Sequence, residues 1–224
     1  MERESKTNER QRAETRQRII ETGFRIFSEQ MIDNVNLTDI AKAAGVGQAT
    51  VYRYFNTKSE LVLAVSTWVW GEMIDDEVIS VHRPNTTAAE DMEAFLDSFI
   101  RLYRNHRPLL RFNQVFNLYV DREAIPAEVM KPYMDIINAL EKRFGKVYRK
   151  ASVDGTIRTD IPEKVMFSTA LHLMLAAVTR YAAGLVYHSG NDEEQELVFL
   201  KDMLMQSFRA DASDRQPGQA FGIN

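Results

Sequence analysis

The chain has 224 residues, of which 45% are hydrophobic and 27% are charged, and its formal net charge is -4. This length and apolar content suffice for one large or two modest domains with a proper core. The chain has no cysteine, which excludes disulfides, thiolate nucleophiles and cysteine-ligated zinc and is compatible with a reducing cytoplasm. The negative balance argues against a uniformly basic coat for nucleic acid.

The N-terminal residues are densely charged, and no apolar run precedes Ile19, so neither a signal peptide nor an N-terminal anchor is predicted. Arginines and glutamates alternate over residues 1–14, which we predict to be a flexible arm, with a DNA-contacting arm as the open alternative. From Thr15, apolar residues recur at helical spacing and predict a first helix whose role is mainly core packing. These residues are Ile19, Ile20, Phe24, Phe27 and Met31.

Two short helices joined by a glycine turn are predicted next. Thr38 is a good N-cap for the first of them, and Gly45 ends it. The second carries Val51 and Phe55 on one face, and the opposite face carries Gln48, Ala49, Tyr52 and Arg53. Such a pair is a helix-turn-helix, whose second helix enters the major groove of DNA with its N-terminal residues foremost.

A third helix is predicted from Lys58, because Thr57 and Glu60 have the spacing of a capping box. The ordered segments Leu-Thr-Asp-Ile-Ala, Ala-Gly-Val, Val-Tyr-Arg-Tyr-Phe and Lys-Ser-Glu-Leu then complete a pattern over residues 15–65. This pattern resembles the N-terminal domain of the TetR family of transcriptional regulators. Gly47 departs from it, because the family usually has serine or threonine there. The departure predicts a lost phosphate contact or about 0.3 kcal/mol less helix stability.

Helical periodicity also predicts helices over residues 87–105, from Pro108, and over 127–151, 162–188 and 192–209. No strand pattern or internal repeat is visible, so the predicted fold is all-α with about nine helices. We predict a three-helix DNA-binding domain over 15–60, a ligand-binding and dimerisation domain over 61–210 and a flexible tail over 211–224. The apolar stretch 171–186 includes His172, Thr179 and Arg180, and is predicted to be too short and too polar to span a bilayer.

The predicted DNA contacts lie on the helix-turn-helix and at the start of the third helix, and a solvated helix face is the alternative reading. Arg53 and Gln48 suit base edges, whereas tyrosine hydroxyls, Thr38 and Lys58 suit phosphate oxygens. The predicted contact residues are Thr38, Gln48, Ala49, Thr50, Tyr52, Arg53, Tyr54 and Lys58. The expected partner is double-stranded DNA with a palindromic operator.

Aromatic and methionine side chains recur on five helices after residue 60, where ordinary helical core is the alternative for each of them. Together they could line an apolar pocket between helices, and the family resemblance implies such a pocket for a small inducer. His172 and Arg180 are candidate polar contacts, although a satisfied core histidine is the open alternative. The predicted pocket residues are Trp68, Met73, Phe99, Tyr103, Phe112, Phe116, Tyr133, Met134, His172 and Met174.

The resemblance further implies a homodimer in which the last two helices pair with their symmetry mates. The interface residues predicted from the apolar stripes are Leu175, Val178, Leu197, Leu200, Leu204 and Phe208. The four histidines lack metal-ligand spacing, and no serine or carboxylate falls in a recognisable catalytic frame. We therefore predict no catalytic residue, no metal and no cofactor.

The sequence thus predicts a cytoplasmic, dimeric repressor that a small, mostly apolar or aromatic effector releases from its operator, with no membrane partner. Two alternatives belong to other classes of protein. One is a helical small-molecule-binding or catalytic domain that retains the motif. The other is a DNA-bound scaffold regulated by a protein partner.

Overall fold

The computed structural model describes residues 2–75, 85–184 and 192–210, without the side chains of residues 2–6 and 73–75. Within these ranges the regular structure is helical, and the β-type pairing is limited to an isolated bridge between Ile157 and Arg209. The predicted all-α class is therefore confirmed. The tail predicted over 211–224 lies outside the described residues.

The described residues form nine α-helices and one short 3-10 helix. Their bounds are α1 Glu2–Phe27, the 3-10 helix Ile32–Asn34, α2 Leu37–Ala43, α3 Gln48–Tyr54, α4 Lys58–Asp75, α5 Ala88–Asn105, α6 Arg107–Glu123, α7 Ala127–Asp154, α8 Glu163–Ala183 and α9 Glu193–Phe208. The predicted helix starts after residue 80 agree with these bounds to within one residue. Turn and capping residues set these starts locally, which is why the sequence located them.

The first helix includes the segment predicted as a flexible arm, because α1 begins at Glu2. Side chains from Thr7 to Glu14 are exposed, and Arg10 donates to Glu14 at 2.8 Å across one helical turn. Arginine, glutamine and glutamate are good helix formers, and such pairs support an exposed helix. The arm is therefore an exposed extension of α1.

Two compact units divide the chain differently from the predicted boundary near residue 60. The first unit comprises Met1–Glu72 and Pro108–Met134, and the second comprises Met73–Arg107 and Asp135–Asn224. The boundaries fall inside α4 and α7 and at the start of α6. Helix α6 therefore belongs to the same unit as the helix-turn-helix. Periodicity did not indicate this, because it shows which face of a helix is buried but not which helix covers that face.

The core of the first unit is aromatic and brings α1, α4 and α6 together. Phe24 of α1 makes edge-to-face contacts with Trp68 of α4 at 6.0 Å and with Phe112 of α6 at 5.9 Å. A Cβ atom at Gly23 would lie 3.2 Å from Val65, so the glycine permits close packing of α1 on α4. Burial of these rings provides the main favourable free energy of this unit.

The second unit has its own aromatic core, in which α5 packs on both α8 and α9. Phe95 contacts Phe99, Phe144 and Phe167, with ring centroids 5.3 to 6.4 Å apart. The predicted pocket residue Phe99 is thus part of a packed cluster. The buried carboxylate of Asp91 is paired with an ammonium group of α7, which satisfies its charge.

Helix α8 is long and apolar enough to cross a membrane by length and composition. The stretch 171–186 was expected to be too short and too polar for a span, but most of it belongs to the longer helix Glu163–Ala183, which was predicted over 162–188 and meets both criteria. Core helices of soluble proteins share this length and composition, and 39% of the most apolar 18-residue segment of α8 is buried within the chain. In this unit α8 packs against α5 and α9.

Candidate DNA-binding and ligand-binding sites

Helices α2 and α3 form the predicted helix-turn-helix. Gly45 in the turn has a φ of 66°, a left-handed conformation that glycine adopts without steric cost. Helix α2 is capped by Asn36, whose backbone N–H donates to the Asp39 carboxylate at 3.0 Å. The predicted N-cap Thr38 instead lies exposed inside the first turn. Both residues are capping types, and the structure selects the earlier one.

The two faces of α3 are divided as predicted. Val51 and Phe55 are 0% and 2% exposed and anchor the helix to the first unit. The candidate base-reading side chains are exposed on the other face, namely Gln48, Ala49, Tyr52 and Arg53. Thr50 and Tyr54 are half-buried, and Gly47 caps the helix without a side-chain bond. The exposed face combines donors, acceptors and an aromatic ring, which suits contact with base edges and phosphates.

The ammonium of Lys58 is engaged inside the protein rather than presented to DNA. It donates to the carbonyl oxygens of Ile32, Asp33 and Val35 at 3.1, 3.3 and 3.2 Å. It also lies 5.8 Å from the centre of the Tyr119 ring. Three hydrogen bonds use all the donors of an ammonium group, so the role predicted for Lys58 as a phosphate ligand does not fit this geometry.

Helix α6 is attached by polar contacts to α4 and to the segment between α1 and α2, as well as by its aromatic face. The Arg122 guanidinium forms an ion pair with Asp33, and this pairing lowers the pKa of the Asp33 carboxyl below its usual value. The Tyr119 hydroxyl lies 2.9 Å from Ser59 Oγ, and Arg111 donates to the Ser28 carbonyl oxygen at 3.3 Å. No sequence motif marked these long-range pairs, which join residues at least 60 positions apart.

Four of the predicted pocket residues belong to a continuous series of ring contacts in the first unit. The series runs from Trp68 through Phe24 to Phe112, then to Phe116 at 5.7 Å and on to Tyr133 at 5.1 Å. Burial raises the pKa of the Tyr133 hydroxyl to about 12, so the group is neutral at physiological pH. Phe112 and Phe116 are buried, so the series forms a continuous aromatic core with half-buried rings at its two ends, Trp68 and Tyr133. Met134, one residue further on, is exposed.

The remaining predicted pocket residues lie in the second unit or beyond the described side chains. Phe99 and Met174 are buried, whereas His172 is exposed, which contradicts its prediction as a contact inside a pocket. The side chain of Met73 is outside the described residues. His172 points outward because α8 buries the face that carries Met174 and Val178, and position 172 falls on the opposite face.

Tyr103 takes part in a polar cluster where α5 meets the start of α9. Its hydroxyl donates to Glu193, and the Arg107 guanidinium lies 4.4 Å from the centre of its ring. Burial and the Glu193 carboxylate raise the pKa of Tyr103 to about 12. In the same cluster the Tyr181 hydroxyl donates to Glu196 at 2.6 Å. These bonds join α5, α8 and α9, so a structural role accounts for Tyr103.

The predicted dimer residues lie mainly on the inner face of the last two helices. Val178, Leu197, Leu204 and Phe208 are buried within the chain, and Leu175 and Leu200 are half-buried. The exposed apolar residues of α8 and α9 are instead Val165, Leu173, Val198, Phe199 and Met203. The prediction selected the more regular apolar stripe, which in this fold covers the chain's own core. We call the exposed set the outer face of α8 and α9.

Known proteins resemble this chain in sequence and in fold. Residues 19–65 match the family model described as bacterial regulatory proteins, tetR family. The HTH-type transcriptional regulator SAB2452 of Staphylococcus aureus strain bovine RF122 / ET3-1 is 42% identical over 52 residues. That alignment covers 23% of this chain and 28% of the relative. SAR2658 of Staphylococcus aureus strain MRSA252, a regulator of the same type, is 28% identical over 63% of this chain and 75% of its own length.

A solved structure from Saccharomonospora viridis, in complex with choline, extends the likeness to the whole fold. It superposes with a TM-score of 0.70 at 20% identity, and it covers 89% of this chain and 100% of the other. At this identity the match supports the arrangement of helices. The sequence relatives support the DNA-binding region, where the matches are concentrated.

Proposed function

The chain belongs to the tetR family of bacterial regulatory proteins, and on this premise we propose that it is a ligand-responsive DNA-binding repressor. The observation that carries the proposal is the exposed polar face of α3, held on a buried anchor of Val51 and Phe55. Base-edge contacts from Arg53 and Gln48 would give sequence preference, while Thr38 and the tyrosine hydroxyls would bind phosphates. Acting on chromosomal DNA, the protein would work in the cytoplasm.

DNase footprinting on the DNA upstream of the protein's own gene tests the proposal. We expect protection of a palindrome whose half-sites lie about 34–36 Å apart, one turn of DNA, because each protomer contributes one α3. Uniform protection without sequence preference would instead favour a helical domain that merely retains the motif. A protected site whose occupancy responds to a protein partner and to no small molecule would favour a regulated scaffold.

Arg53→Ala tests the base-reading role of α3. A side chain that pairs with a base edge contributes about 1–3 kcal/mol of discrimination, so we expect specific affinity to fall by that amount and non-specific affinity to change little. Both affinities are measured at one stated salt concentration. Lys42→Ala is the matched control, because it removes an exposed cation from α2. Unchanged specific binding by Arg53→Ala would remove this residue from the site.

The proposed assembly is a homodimer that pairs the outer face of α8 and α9 with its symmetry mate. An exposed apolar set that includes Phe199, at 68% exposure, supports this interface, because large apolar side chains on neighbouring helices favour association. Such a homodimer would carry two copies of α3 related by two-fold symmetry. A palindromic operator follows from such two-fold symmetry.

The proposed effector is small and mostly apolar. Support comes from the ring series of the first unit, a contiguous aromatic core in which Trp68 and Tyr133 are half-buried. Helix α4 begins beside the helix-turn-helix and carries Trp68, so a ligand that shifts α4 would change the position of α3. The Saccharomonospora viridis protein binds choline, which makes a cationic effector the competing possibility.

A further inference from the structure

Two polar groups on α4 are buried without a hydrogen-bond partner in the part of the chain that the structure describes. Ser66 is 0% exposed and Trp70 is 5% exposed, and neither Ser66 Oγ nor Trp70 Nε1 has an acceptor or donor within bonding distance. Residues four apart on a helix lie on one face, so these two groups point in the same general direction. Native proteins rarely leave such groups unsatisfied, because each has lost its hydrogen bonds to water.

The register of α4 and α6 locates these groups within the first unit. Ser59 Oγ lies 2.9 Å from the Tyr119 hydroxyl, and Trp68 reaches Phe112 through Phe24. Moving forward along α4, from Ser59 to Trp68, therefore means moving backward along α6, from Tyr119 to Phe112. The two helices run antiparallel. Two helical turns beyond Ser59 bring α4 to Ser66, and two turns before Tyr119 bring α6 to Phe112.

The described buried residues of the first unit include no charged side chain. The buried polar residues described in this unit are Thr22, Ser28, Ser66 and Asn113, and none of them is ionisable. Asn113, which follows Phe112 on α6, is also buried. Beside Trp70, a Cβ atom built at Gly71 would meet no atom within 4 Å, so the backbone there has open space on one side.

We propose that Ser66 and Trp70 form the polar end of the effector site and bind a neutral, mostly apolar molecule through a hydrogen-bond acceptor such as a ketone or ester carbonyl. The indole N–H can only donate, and the serine hydroxyl can donate as well, so the matching ligand atom is an acceptor. A charged head group would lose its hydration without gaining a counter-ion, which disfavours an ammonium or carboxylate at this position. The inference rests on the proposed ligand response and specifies the ligand's chemistry.

A probe series of similar chain length tests this assignment in the full-length protein. Displacement of the neutral dye N-phenyl-1-naphthylamine is measured with 2-undecanone, undecane, decanoate and decyltrimethylammonium. We expect the ketone to bind about fivefold to tenfold more tightly than the alkane, the ratio that one neutral hydrogen bond provides. We expect the two ions to bind more weakly than the ketone.

Ser66→Ala and Trp70→Phe remove one donor each and keep most of the apolar volume. Each is expected to lower ketone affinity about threefold to tenfold and to leave alkane affinity within twofold. Ser28→Ala is the control and should not alter the ketone-to-alkane ratio, because the Ser28 hydroxyl is buried in the same unit but already donates to the Arg25 carbonyl oxygen at 2.9 Å. Thermal melting supplies a second readout. Without ligand, Ser66→Ala should melt at or above the wild-type temperature, because it removes an unsatisfied buried group rather than a bonded one.

Several results would overturn the inference. These are equal binding of ketone and alkane by the wild type, equal loss of both in the two variants, tighter binding of either ion, and displacement by none of the four probes. A lower melting temperature for Ser66→Ala would also overturn it, since the hydroxyl would then be bonded, for example to an ordered water. Operator footprinting is scored separately. If the protein binds a specific DNA site but does not prefer the ketone, the proposed ligand site is rejected and the proposed function stands. If no specific DNA binding is found, the proposed function itself is rejected.

Discussion

At the scale of single residues, Lys58 connects the chain between α1 and α2 to the start of α4. Its ammonium replaces the water that the carbonyl oxygens of Ile32, Asp33 and Val35 would otherwise bind. Hydrogen bonds to a charged group are stronger than neutral ones, and carbonyls left without a donor in a half-buried place are costly. A residue predicted to bind phosphate is therefore a structural residue of the helix-turn-helix.

Lys58→Met keeps the length and apolar stem of the side chain and removes its three donors. We expect the free energy of unfolding, measured by urea titration, to fall by about 1.5–3 kcal/mol. Lys42→Met is the control, because that lysine is exposed, and a change within about 0.5 kcal/mol is expected for it. An unaltered stability together with a smaller salt dependence of DNA binding would restore the phosphate role of Lys58.

At the scale of helices, α5 is started by side chains from two places in the sequence. Thr87 accepts from Glu90 N at 3.2 Å, as a local N-cap does. Across the unit, Asp154 accepts from Ala88 N at 2.7 Å and Thr156 accepts from Ala89 N at 3.0 Å. The end of α7 thus satisfies the first free N–H groups of α5, and this long-range cap joins the two helices.

Asp154→Ala is expected to destabilise the protein by about 1 kcal/mol at neutral pH, the usual effect of a lost cap. Burial would raise the pKa of this carboxyl, but hydrogen bonds from the Thr156 and Ala88 backbones lower it below its usual value of 3.8. A lowered pKa means that the stabilisation is complete above about pH 5 and is lost as pH falls through the folded-state pKa. Urea titrations at several pH values should therefore show wild type and variant converging under acidic conditions. A difference that persisted below pH 2 would contradict the ionic cap.

At the scale of the whole molecule, assembly depends on which face of α8 and α9 is free. Phe199→Glu places a charge on the outer face, and we expect it to lower the dimer fraction in sedimentation and operator affinity with it. Leu118→Glu is the control, because Leu118 is 55% exposed on α6, which belongs to the first unit rather than to α8 or α9. Leu204→Glu should instead impair folding, since Leu204 is buried. A dimer fraction unchanged in Phe199→Glu would place the interface elsewhere.

The switch is also a property of the whole molecule, because it requires two sites to influence each other. A 100-fold release of operator needs about 2.7 kcal/mol of coupling, which is within the usual range for allosteric proteins. Linkage requires that operator weaken effector binding by the same factor. Titrating effector with and without operator, followed by Trp68 and Trp70 fluorescence, measures this factor. Equal effector affinities in the two titrations would mean that the bound ligand does not regulate DNA binding.

The sequence by itself determined the local features of this protein. Capping residues and the left-handed Gly45 are encoded within a few positions, so the helix-turn-helix and the helix starts from α3 onward were predictable from adjacent residues, whereas the starts of α1 and α2 lie earlier than predicted. The alternation of buried and exposed positions on α3 follows from helical periodicity, which identified the candidate reading face. These features depend on interactions within one or two turns of chain, and the sequence contains all the information that they require.

Tertiary structure alone decided which surfaces meet. Periodicity showed an apolar stripe on α9, but only packing showed that Leu197 and Leu204 face the chain's own core and that Phe199 remains exposed. The three carbonyl partners of Lys58 lie at least 23 positions earlier in the chain, a separation at which no spacing rule operates. Among the described residues Ser66 Oγ is buried without a hydrogen-bond partner, which also depends on how the surrounding segments pack. Such contacts arise only when distant segments are brought together, so local sequence cannot specify them.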